Sequence, residues 1–240
     1  MKGNGDKMLN VIDAVIILFL FAGAVLGFKK GAIQSLATLI GTIVVVVISY
    51  YLKNPFSVLL YTYLPFFKLN GAFSGITVVN ILIYESIAFL IIFSILSIFL
   101  RVFLKVTGII SKIVDASIIL TLPSKLLGIL VGLIESYIFI FIFLFIFSQF
   151  QFSHEVMDES KFAPIILEKT PCTKAFRNTY QVYLEIKELN LLDSNKEVNN
   201  YKALDLLLKY KIITPENANK LIEKGKINIK GAKELIKKYS

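Results

Sequence analysis

Carboxylates are scarce in the first 150 residues of this 240-residue chain, where five Asp and Glu stand against ten Lys and Arg; residues 151–240 hold twelve against sixteen. Charged residues make up 18% of the whole and hydrophobic residues 56%, whereas soluble domains carry about a quarter charged residues. That balance excludes an ordinary soluble enzyme. Cysteine is almost missing: Cys172 stands alone, so no intrachain disulfide can form and no oxidising compartment is required or excluded. Histidine occurs once, at His154, and the run His154-Glu155-Val156-Met157-Asp158 puts Asp where a zinc-protease helix needs its second His. No G-x-S-x-G elbow, P-loop or dinucleotide-binding glycine loop is present, and Cys172 has no His near it in sequence. These absences point to a protein that is not an enzyme and takes no cofactor or metal. The net charge of +9 arises in the first half mainly because acids are missing between apolar runs. Anionic lipid headgroups are therefore the more economical partner.

Long apolar runs are what the chain does have. Three stretches, 9–28, 33–52 and 78–100, and a fourth, 126–150, each suffice to cross roughly 30 Å of hydrocarbon, which takes about 20 helical residues. With no alternating barrel pattern, each is read as a helix, because helices satisfy their own backbone in lipid. The fold class is an all-α integral membrane protein: a four-helix transmembrane domain over 1–150 and a soluble helical tail over 151–240. Ala22 and Ala24 resemble a signal-peptide cleavage site. However, Val25, Leu26 and Phe28 continue the apolar run and the charges of Lys29 and Lys30 follow it, the reverse of a cleavable signal.

Lys53 to Gly75, with Pro55, Pro65 and six aromatics, is too short in its apolar core to cross and is expected to lie among the headgroups or to be re-entrant. Thr107 to Leu122 has the spacing of an amphipathic surface helix, ended by Pro123. Lys29, Lys30, Arg101, Lys105, Lys112 and Lys125 fall in the loops after spans one and three. The positive-inside rule assigns those loops to the cytoplasm and both termini to the other side. Lys2 and Lys7 pull the other way.

Asp13, Glu85 and Glu135 are the acids inside the spans, and no Lys or Arg is expected deep enough to pair with them. Glu85 and Glu135 fall at similar depths, so two readings stand: a carboxylate pair sharing a proton, as in an ion-coupled transporter, or separate acids hydrogen-bonded to neighbouring helices. Gly23, Gly27 and Gly31 recur every four residues, as do Gly128, Gly132 and Ser136. Such ladders let helix backbones approach closely, either between spans one and four or across a homodimer.

Several of these residues resemble one family. Asn10-Val11-Ile12-Asp13 opens the first span, Gly27-Phe28-Lys29-Lys30-Gly31 closes it, and Leu36, Leu39 and Gly41 follow. Later come Lys125-Leu126-Leu127-Gly128 with Gly132, and Ser160-Lys161-Phe162-Ala163-Pro164. Over roughly residues 9–175 the chain is similar to the colicin V production protein (CvpA) family. The resemblance implies a multi-pass bacterial inner-membrane protein serving toxin production or export and envelope maintenance, acting as an accessory or scaffold with an envelope or export partner, and with no defined catalytic site. Family members commonly carry Asp-Arg where Ser124 and Lys125 stand here, and Glu135 is a feature of this chain.

In the tail, helices are expected over 176–192, 201–210 and 230–239, with a polar linker at 193–200. Thr214-Pro215-Glu216 is a helix start and Gly225 a stop. The Lys-rich segment 220–238 suits anionic lipid or cell-wall polymer. Glu216, Glu223 and Glu234 interrupt it and no aromatic precedes Tyr239, which argues against nucleic acid.

Overall fold

The computed structural model describes residues 10–70, 73–106, 121–148, 154–169, 173–192 and 195–240, and every regular element among them is helical. In chain order these are α1 (Val11–Tyr63), α2 (Val79–Val106), α3 (Thr121–Phe147), α4 (His154–Glu159), α5 (Ala163–Lys169), α6 (Thr173–Leu192), α7 (Lys196–Lys209), α8 (Pro215–Glu223) and α9 (Ala232–Lys237). Three of them, α1, α2 and the α3 stretch from Leu122, are long and apolar enough to cross a membrane. Their outward surfaces carry Leu18, Phe21, Ile40, Ile98, Phe99 and Leu130, an apolar surface of the kind that water does not tolerate and lipid does.

The first two sequence spans form one element. α1 is helical through 53 residues except at Gly31, whose φ of 75° and ψ of 174° break it into arms 11–30 and 32–63. That conformation suits a residue without a β-carbon. The arms lie side by side, since the Ser35 hydroxyl donates to the Gly27 carbonyl at 3.4 Å. Both arms also meet the same turn of α3, Gly23 at Ser136 and Thr42 at Glu135.

One segment gains an element and one loop expectation is corrected. Residues 53–63, expected among the headgroups or re-entrant, are helical and continue α1 through Pro55. The linker expected at 193–200 is helical from Lys196, since the Asn195 side chain caps α7 by accepting from the backbone N–H of Glu197 and Val198. Pro123 stands in the first turn of α3, where its missing N–H costs nothing. Most of the expected amphipathic helix, including Lys112, lies outside the described residues, as do Lys2, Lys7 and Cys172.

The chain forms two compact units. The first holds the residues up to Leu52 with Leu90–Ile146 and Glu155–Lys169; the second holds Lys53–Phe89, Phe147–His154 and Thr170–Ser240. In the second, Tyr61, Phe73, Ile76, Ile81, Leu82 and Tyr84 share one apolar core with Val182, Ile186, Leu204, Leu207, Leu221, Ile227 and Ile236. The tail helices are individually too short for a core of their own, and they acquire one by packing on the 53–89 segment.

Candidate functional site

The N-terminal end of α1 is built as a reciprocal cap. Asn10 Oδ1 accepts from the Asp13 N–H at 3.1 Å, and Asp13 Oδ2 accepts from the Asn10 N–H at 3.2 Å, satisfying donors that a helix start leaves open. The Asp13 carboxylate, fully buried, has further partners from beyond α3. It accepts from the Ser160 hydroxyl at 2.6 Å, from the Lys161 N–H at 3.1 Å and from the Phe162 N–H at 3.0 Å. Ser160 Oγ in turn accepts from the Ala163 N–H, and the Asn10 side-chain amide donates to the Val156 carbonyl. Asp13 is thus an anchor that binds the 156–163 segment to the start of α1.

Further along the same unit the two glycine ladders face each other. A β-carbon on Gly27 would overlap the Gly128 carbonyl, one on Gly128 the Gly27 carbonyl, and one on Gly132 the Gly23 carbonyl oxygen, while Gly23 abuts Ser136. Backbone touches backbone along this seam, so dispersion replaces the hydrophobic drive that lipid does not supply. At the Gly31 end, Ser124 Oγ accepts from the Ala32 N–H at 3.1 Å and Lys125 Nζ lies 5.6 Å from the Phe28 ring centre. Lys29, Lys30 and Lys125 therefore gather at one end of the seam, and Asp13 marks the other. Arg101 and Lys105 stand in the last turns of α2.

The other two acids of the apolar helices belong to different units, and each is engaged within its own. Glu135 accepts from the Thr42 hydroxyl at 3.2 Å and the Thr38 hydroxyl at 3.3 Å, with Lys30 Nζ at 3.9 Å. Glu85 is held by Lys53 Nζ at 2.6 Å, with 8% and 4% of the two side chains exposed. This corrects the expectation that no cation lies deep enough to pair with these acids. Lys53 reaches Glu85 because the helix runs on past it, and Lys30 reaches Glu135 because the chain reverses at Gly31.

Sequence reasoning missed the polar ties of the second unit. The Asn80 side chain accepts from the Phe67 N–H at 2.7 Å and donates to the Phe67 and Thr77 carbonyls, and the Tyr84 hydroxyl donates to the Pro65 carbonyl. Asn200 accepts from the Thr77 N–H at 2.8 Å and donates to the Gly75 carbonyl at 2.6 Å. These contacts fasten the 65–79 turns to α2 and to the tail. A lone Asn inside an apolar run, as at Asn80, was the one visible signal.

No curated protein and no solved structure matches the chain. A family model described as Colicin V production protein matches residues 12–171. The match runs from the Asp13 anchor through both glycine ladders to the 160–162 segment that Asp13 holds. The chain therefore belongs to the colicin V production protein family.

Proposed function

We propose that this protein is a four-pass inner-membrane accessory or scaffold factor in colicin V production and export and in envelope maintenance, without catalysis of its own. The observation that carries this reading is the family match over residues 12–171, which covers all three apolar helices.

Crossing parity supports four passes. Asp13 bonds to Ser160, Lys161 and Phe162, which fits a chain that leaves and returns to one side by an even number of crossings. The common core of 60–88 with 182–236 fits the same reading, in which α2 and α3 supply two. The two side-by-side arms of α1 supply the other two, each at least 20 residues long, enough for about 30 Å. The positive-inside rule then assigns the Lys29–Lys30 end to the cytoplasm and both termini to the outer side. A Glu223→Cys label in a Cys172→Ala background should react with an impermeant reagent on intact cells, and a Lys125→Cys label should not; the inverse pattern reverses the orientation.

Function is tested by complementation in a colicin V-secreting bacterium lacking its own family member. The protein should restore toxin activity to the culture medium. So should the Lys53→Met/Glu85→Leu double variant and Glu135→Gln, because these acids serve packing in this reading. Loss of secretion by either variant at normal protein level would favour an ion-coupled transporter built on the carboxylates.

A further inference from the structure

The lysine-rich end of the tail acquires a setting in the second unit. α8 closes in a paired reverse turn: the Gly225 N–H bonds the Ile222 carbonyl and the Lys226 N–H bonds the Leu221 carbonyl, both at 2.9 Å, with Gly225 at φ 67°. A β-carbon at Gly225 would meet nothing within 4 Å, so the turn has an open tip flanked by two lysines. Both reach the end of α1. Lys224 Nζ stands 4.3 Å from the Tyr63 ring centre, and Lys226 Nζ donates to the Leu64 carbonyl at 2.9 Å beside the Phe66 ring. Around them Tyr63, Leu64 and Phe67 are exposed by 71%, 44% and 50%.

Tyr63 closes α1, a helix long and apolar enough to cross a membrane, and the end of a crossing helix lies among the headgroups, where aromatic and basic residues collect. Exposed aromatics with lysines lying along them are what that layer selects: rings take the mixed environment and long cationic side chains reach the phosphates. We propose that the Lys224–Gly225–Lys226 turn, with Tyr63, Leu64 and Phe67, is a docking surface for the anionic phosphates of the adjoining leaflet, holding the tail against the membrane. The proposal rests on the reading that the second arm of α1 crosses the bilayer. It holds on whichever side the tail lies.

The test uses the full chain with Cys172→Ala in nanodiscs of phosphatidylcholine alone or mixed with phosphatidylglycerol. Glu223→Cys, on the exposed end of α8, carries a fluorophore read against a headgroup-depth spin-labelled lipid. Quenching should be about twofold stronger in anionic discs. It should fall to the zwitterionic level in Lys224→Gln/Lys226→Gln, or on raising salt from about 50 to about 500 mM, where screening shortens to roughly 4 Å. Equal quenching in both disc types, or a difference that survives the double substitution, overturns the proposal. A fluorophore at Tyr63→Cys separates the two readings. Quenching there in both disc types upholds the span; its absence in both overturns the span and the docking surface together.

Discussion

Lys53 and Glu85 form a buried ion pair, Nζ to Oε2 at 2.6 Å, joining the second arm of α1 to the first turns of α2. Removing one partner strands the other charge, and such losses cost about 3–5 kcal/mol. Glu85→Gln and Lys53→Met should each lower the unfolding midpoint in detergent strongly, and the Lys53→Met/Glu85→Leu double variant should regain most of it. Additive losses in the double variant would show that the two side chains are not coupled.

Asp13 ties the 160–162 backbone to α1. Ser160→Ala removes the bond to Asp13 and the one its hydroxyl accepts from the Ala163 N–H, and should cost about 1–3 kcal/mol. Asp13→Ala should cost more and expose the Glu155–Lys169 stretch to limited proteolysis. Equal cleavage rates in Asp13→Ala and the unaltered protein would refute the anchor.

The glycine seam has no room for a side chain at Gly27, Gly128 or Gly132. Gly128→Leu should prevent accumulation of folded protein, and Gly128→Ala should lower its unfolding midpoint. Crosslinking of chains within one preparation distinguishes this from a dimer seam: self-association should be the same in Gly128→Ala and the unaltered protein.

Lys211 turns the chain just after α7 at φ 57°. The Lys211 N–H bonds the Leu208 carbonyl and the Ile212 N–H the Leu207 carbonyl, the turn that Gly225 makes after α8. A side chain in that left-handed conformation costs about 1 kcal/mol or more, so Lys211→Gly should stabilise the tail by about 1 kcal/mol. Hydrogen-exchange protection of the α7 amides reads this out, and a decrease would count against it.

The Tyr239 hydroxyl donates to Asp205 at 2.7 Å, which pushes its pKa up to about 12, with burial adding to the effect. Because the folded value lies above the ordinary one near 10, the contribution is complete below about pH 10. It is lost as pH rises through about 12. Tail protection should therefore fall over that range, and Tyr239→Phe should flatten the fall.

Hydropathy alone located the membrane-crossing material, because any segment in lipid must be apolar and internally hydrogen-bonded, and that demand is local. The caps were local as well: Thr214 accepts from Asn217 and Pro215 opens α8 as the residue order dictates, and Gly225 stops it. The glycine spacing was legible as a seam, since a four-residue repeat is a property of one helix.

Pairing was decided by tertiary structure. Nothing near Asp13 in sequence points to Ser160, and nothing near Glu85 points to Lys53, 32 residues away. Lys53 also follows an apolar run, where a charge reads as a span end until the continuing helix sets it beside α2. The tail was harder still, because its short helices lack a core until Phe73, Ile76 and Tyr84 complete one with Leu204, Leu207 and Leu221. Sequence determined which segments leave water. Which polar group meets which, and what the tail packs on, depended on contacts between residues far apart in the chain, formed only when the helices come together.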